Sequence, residues 1–134
     1  MSKAPVARSS EAAHPLRTSG GRGSIEVFPR VVRSIAGHAA LDCYGVMGLA
    51  ARNLREGVAT RLRGESAHRG VDLRQVGERL EVDVYVVIEY GVRITEVARN
   101  LQEAVAFALQ RSLAIEAAAV NVYVQGVHGA AGHE

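Results

Sequence analysis

The residues best suited to chemistry in this 134-residue sequence are its one cysteine, five histidines and a short row of carboxylates. His38 and Cys43 stand close together near the end of a helical pattern, His68 falls in a polar connection, and His128 and His133 lie in a glycine-rich C-terminal stretch. No C-x-x-C, H-x-x-x-H or H-E-x-x-H spacing occurs, so the compact zinc motifs are absent. A Cys43–His38 nucleophile pair would need a third group to orient the imidazole and donors for an oxyanion. Asp42 is adjacent in sequence, but consecutive helical residues point apart. Lys3 is the only lysine, so no glycine loop carries a phosphate-binding lysine. These patterns predict no catalytic residue, no metal and no cofactor.

Glu81, Asp83 and Glu89 share one face of an alternating stretch, where carboxylates can bind cations or move protons. Alternation alone also puts them there, because a half-buried strand must show a polar face to water, and a solvated face is the expected reading. Arg52, Arg55, Arg61, Arg63 and Arg69 outnumber Glu56 and Glu65 in the preceding segment, while the stretch 78–90 is acidic. Opposite local fields of this kind fit self-complementarity within the fold or between copies of the chain, or the choice of a partner, and they equally fit ordinary charge scatter. These arginines, with Glu81, Asp83 and Glu89, are the candidate interaction residues. Gly45-Val46-Met47-Gly48 spells the G-x-x-G by which KH domains clamp a nucleic-acid backbone. Its central residues are apolar where such loops carry basic or polar ones. Single-stranded nucleic-acid binding through this turn and the nearby arginines is the alternative function.

The elements that must hold these groups follow from periodicity. Val31, Val32, Ile35, Ala36 and Ala39 recur at three- and four-residue intervals, predicting a helix that starts at Pro29, where a missing N–H costs nothing. Leu80, Val82, Val84, Val86, Ile88 and Tyr90 alternate with Glu81, Asp83, Tyr85, Val87 and Glu89. Val71 and Leu73 precede them on the same inner face, with the reversal near Gly77-Glu78. Ile94, Val97, Ala98, Leu101, Val105, Ala108 and Leu109 form the stripe of a second helix. Val120, Val122 and Val124 alternate as a last strand. Residues 45–62 fit strand, helix or loop, with a short helix through Leu54, Val58 and Leu62, and 63–70 read as an exposed connection. The expected class is α+β, two main helices packed on one face of a small mixed or antiparallel sheet.

From Ile25 to Val127 the wording of the chain resembles the alkaline-shock (Gls-type) family of bacterial envelope-stress proteins. The resemblance rests on Gly70-Val71, Tyr90-Gly91, the run from Ile94 through Glu96 to Gln102, and Asn121-Val122 leading to Gly126-Val127. One departure is Ala114, where that family is expected to place a helix-ending glycine. The resemblance implies a non-catalytic protein-interaction role in envelope stress, at the inner face of the membrane through a membrane-anchored partner.

Composition sets the remaining bounds. The net charge of +2 is uneven: residues 1–24 hold four basic groups and Glu11, which leaves the rest slightly acidic. A nucleic-acid-binding domain usually carries its basic excess on the domain itself, so that partner class is disfavoured. The longest apolar run, Ala104 to Leu109, falls far short of the roughly 20 residues of a spanning helix. One cysteine suits a reducing, cytoplasmic compartment. Residues 1–24, rich in serine and glycine, are expected to form a disordered basic tail, 25–127 the folded domain, and 128–134 a flexible tail. A protein partner or a second copy of the chain is the expected ligand.

Overall fold

The computed structural model describes residues 6–7, 16–51 and 64–129. Within them, β1 (Val6–Ala7), β2 (Leu16–Gly20), β3 (Gly23–Val27), α1 (Pro29–Leu41), β4 (Val46–Leu49), a 3₁₀ helix (Gly64–Gly70), β5 (Val71–Val76), β6 (Arg79–Glu89), α2 (Ile94–Leu113) and β7 (Ala119–His128) follow in order. The class is α+β, as the periodicity predicts.

The central strand is β6, whose eleven residues pair on both sides. On one side, β5 runs antiparallel against Arg79–Val84 and β4 antiparallel against Val86–Ile88, so the two lie end to end along the same edge. On the other side, β7 runs parallel to β6 from Glu81 to Glu89. A parallel neighbour needs a crossover rather than a hairpin, and α2 is that crossover. The sheet is therefore mixed. β1 pairs with β5 through Val6–Val76 and Ala7–Gln75. β2 and β3 form a separate hairpin.

The inner face of β6, Val82, Val84, Val86 and Ile88, is fully buried with Leu49, Val71 and Leu73 against Val32, Ala36 and Ala40 of α1 and Val97, Leu101, Val105 and Leu109 of α2. Pro29 opens α1 as expected. The end of α2 accounts for the departure at Ala114, which takes φ 55° and ψ 34°, the one non-glycine with positive φ among the described residues. The N–H groups of Ala114 and Ile115 donate to Gln110 O and Leu109 O, which completes a left-handed helix cap.

Five expectations need correction or placement. Residues 64–70 are not an exposed connection: Ala67 is fully buried and its carbonyl and Cβ lie against Gly37 of α1. Residues 16–24, placed in the disordered tail, contribute β2 and the start of β3, because the Gly21-Arg22 turn lets the two strands pair in register from Leu16–Val27 to Gly20–Gly23. The ambiguous stretch after Gly45 is β4, and β7 continues through His128, the first residue of the expected flexible tail. The helix through Leu54, Val58 and Leu62 lies outside the described residues.

Candidate interaction surface

The helices cover one face of the sheet, and the candidate site is the other. The two-residue turn at Gly77-Glu78 puts Val76 opposite Arg79, and from there the hairpin places Arg74 opposite Glu81 and Asp72 opposite Asp83. β7 adds Asn121 beside Asp83, Tyr123 beside Tyr85 and His128 beside Glu89. All of these side chains share the outer face, because alternate residues of a strand point the same way.

Arg74 organises this face. Its Nε donates to Asp83 Oδ2 at 2.8 Å, and its second nitrogen donates to Glu81 Oε1 at 2.6 Å and Asp83 Oδ1 at 3.2 Å. Asn121 Nδ2 donates to the same Asp83 Oδ1 at 2.9 Å. The Asp83 hydrogen bond, with the nearby negative charges of Asp83 and Glu81, raises the Arg74 pKa against the opposing effect of burial. The guanidinium stays charged at any physiological pH. Asp83 is 3% exposed and Asp72 fully buried, so neither belongs to a solvated row of acids. The expectation of a hydrated carboxylate face is thus corrected at Asp83, which is buried with its carboxylate bound by Arg74, diagonal to it on β5, and by Asn121 of β7. Glu81 and Glu89 remain half-exposed. Beside the network, Tyr85 and Tyr123 stack with centroids 4.9 Å apart and planes at 18°, and Tyr123 keeps 41% of its surface exposed.

The remaining candidates distribute as follows. Arg69 is exposed at the end of the 3₁₀ helix. Arg52, Arg55, Arg61 and Arg63 lie outside the described residues. Most of the quoted motif positions hold the fold together. Gly70 approaches β4 so closely that a Cβ there would lie 2.6 Å from Leu49 Cβ. Val71 is buried, Val122 packs against the core, and Gly91 takes φ 98° in the turn after β6. The Tyr90 N–H donates to His128 O, Gln102 Nε2 donates to Val120 O at 2.9 Å, and Gly126 pairs with Val87 just past a bulge. Glu96 sits in the first turn of α2, where a negative charge suits the helix dipole. Of these positions, Tyr90 (62%) and Val127 (47%) present large exposed apolar surface.

The chemistry first considered is not assembled. His38 Nδ1 contacts Ser34 O and the Cys43 thiol donates to Ala39 O, so each is engaged by a different carbonyl of α1. Burial, then Asp42, raises the Cys43 pKa, which keeps it a thiol rather than a nucleophilic thiolate. No group of three metal-ligating side chains occurs among the described residues. The G-x-x-G stretch is no clamp loop: Gly45 turns at φ 89° against Val97, and Gly48 is buried in β4 opposite Val87. No helix among the described residues is long and apolar enough to cross a membrane.

Arg74 and Tyr123 escaped the sequence reading. The signal for Arg74 was present, since a two-residue turn at Gly77-Glu78 dictates its place opposite Glu81. Tyr123 had none, because its stacking depends on the parallel register of β7.

Comparison with known proteins places this surface in context. The profile of the alkaline-shock protein 23 family, described as having a cell envelope-related function, matches residues 17–129. The chain is 41% identical over 106 residues to the uncharacterized protein YloU of Bacillus subtilis, covering 78% of this chain and 88% of the relative. It is 38% identical over 106 residues to the uncharacterized protein Spy1614 of Streptococcus pyogenes serotype M6, with the same coverage of both. To YqhY of Bacillus subtilis, also uncharacterized, it is 30% identical over 105 residues, covering 78% of this chain and 77% of the relative. No solved structure matches.

Proposed function

The chain belongs to the alkaline-shock protein 23 family, with its cell envelope-related function, and from that premise we propose that it is a non-catalytic protein-interaction module acting at the cytoplasmic face of the membrane through a protein partner. The observation that carries this reading is the outer face of the sheet. Its polar groups are locked by Arg74 and Asn121 rather than left reactive, and its margin presents a stacked, partly exposed tyrosine. A rigid polar patch beside an exposed aromatic ring has the make-up of a protein contact surface, where the few residues that dominate binding are enriched in tyrosine, tryptophan and arginine. The lone Cys43, held as a thiol, fits a reducing compartment.

Partner choice is assigned to charge: the arginines between Arg52 and Arg69 and the acids Glu81 and Glu89 set complementary fields, with Asp83 holding Arg74 in place. The test is a pull-down from a nuclease-treated native lysate sorted into membrane and soluble fractions, comparing the wild type with a variant carrying Arg61→Glu and Arg63→Glu. The expected result is a membrane-fraction protein recovered by the wild type and lost by the variant at unchanged thermal stability. If the variant keeps every protein contact but loses a salt- and nuclease-sensitive RNA contact, nucleic-acid binding replaces this reading.

A further inference from the structure

β7 ends the sheet. Its ten residues pair with β6 on one side, and no described strand lies on the other. Exposed edges are usually guarded by lysine, proline or inward-pointing charge, because their free N–H and C=O groups accept another strand. From Ala119 to His128 there is no aspartate, glutamate, lysine, arginine or proline. The guards present are local. Gln102 of α2 takes the Val120 carbonyl at the start of the strand, and the bulge at Gln125 interrupts the ladder near its end. Between them lie Asn121 to Val124, with Tyr123 and Val124 exposed at 41% and 37%.

The geometry points to a second copy of the chain as the occupant of this edge, joined by antiparallel β7–β7 pairing about a two-fold axis at Tyr123. The inference rests on the reading of the protein as an interaction module and names one partner for it. Three observations select a second copy. First, Gln102 reaches Val120 O from outside the sheet, and alternate residues of a strand direct their backbone groups to the same side. The N–H and C=O of Val122 and Val124 therefore face the open edge, and Val122 of one copy can pair with Val124 of the other. Second, that register sets Tyr123 opposite Tyr123 on the outer face, so the two Tyr85–Tyr123 stacks adjoin across the axis. It also sets Asn121 opposite Gln125, amide against amide. Third, a strand without charge meets no like charge when paired with itself, whereas a strand chosen by charge would find nothing here to read. A self-complementary patch of this kind closes as a two-fold dimer.

The full-length chain should sediment at twice its 14.3 kDa mass, with dissociation on dilution. Tyr123→Lys and Tyr123→Glu each place like charges face to face on the axis and should be monomeric, yet mixing the two should restore a dimer. A Tyr123→Cys variant on a Cys43→Ala background should oxidise to a disulfide-linked dimer, because facing residues on the axis bring their Cβ atoms within bridging reach, while Gln110→Cys on the same background should not. The last pair reports position even if a charged variant folds poorly. A monomeric wild type, a dimer that both charged variants retain, or equal crosslinking of the Tyr123→Cys and Gln110→Cys variants would overturn the inference. If the wild type is monomeric but still captures a membrane-fraction partner, the interaction-module reading stands and the self-pairing falls. If the dimer forms and no partner is captured, the self-pairing stands and the partner reading falls.

Discussion

At Ala114 a methyl group occupies a backbone conformation that costs an L-residue about 1–2 kcal/mol, and the cap hydrogen bonds to Gln110 and Leu109, with Leu113 and Ile115 packed against the core on either side, hold it there. Ala114→Gly should therefore stabilise the protein by about 0.5–1 kcal/mol, the gain being reduced by the extra freedom of glycine in the unfolded chain. Urea melts read this directly. Asp83 behaves in the opposite sense. Read as a surface acid, its change to asparagine would be mild. Since it is buried and accepts from Arg74 and Asn121, Asp83→Asn should cost about 1–3 kcal/mol, with Arg74's partial exposure keeping the figure toward the lower end. Cys43 gives a pH signature. Its folded pKa lies above the unfolded value, so the native state holds its proton where the unfolded chain loses it. That contribution is intact at neutral pH and is lost as pH rises past about 8.5. The melting temperature of the wild type should fall relative to Cys43→Ala between about pH 8 and pH 10, and iodoacetamide should react with it more slowly than with free cysteine.

Among the elements, the 3₁₀ helix and β4 contribute most beyond what periodicity shows. They meet at Gly70, where the chain passes so near Leu49 and the Ala50 carbonyl that a side chain has no room. Gly70→Ala should shift β4 away from β6 and destabilise by about 1–3 kcal/mol, as overpacking does, with amide exchange rising first at Val46–Leu49 because that strand is short. Protection changing equally across α2 would show that the strain spreads through the core instead. The regular elements were legible for a simple reason: α1, α2 and β6 each bury one continuous stripe, and a stripe has a period. The 3₁₀ helix buries only Ala67 and Gly70 among its described side chains, too few to make a pattern.

For the whole molecule, the hairpin of β2 and β3 packs chiefly on itself, with Ile25 exposed at 65% and Val27 reaching the margin of the core. Cooperative stability comes from the sheet and its two helices. A chain beginning at Ser24 should melt within a few degrees of the full length, as judged by calorimetry. A large drop would mean that β1, which covers the Val76 end of β5, or the hairpin carries a structural share that their contacts do not indicate.

The α+β class, the inner faces of α1, α2, β6 and β7, the position of the Gly77-Glu78 turn, and the want of any compact metal or nucleophile motif can all be read from residue order. These are local properties, written in spacing along the chain. Tertiary structure alone decided that β7 pairs parallel to β6, that Asn121 reaches Asp83 and Tyr123 stacks on Tyr85, that Gly45–Gly48 enters a strand, and which strand is left at the edge. Those outcomes join residues tens of positions apart. Hydrophobic alternation says which face of a strand is buried but not which neighbour it will find, because every strand with the same alternation satisfies the core equally well until loop lengths, helix packing and buried charges choose among them.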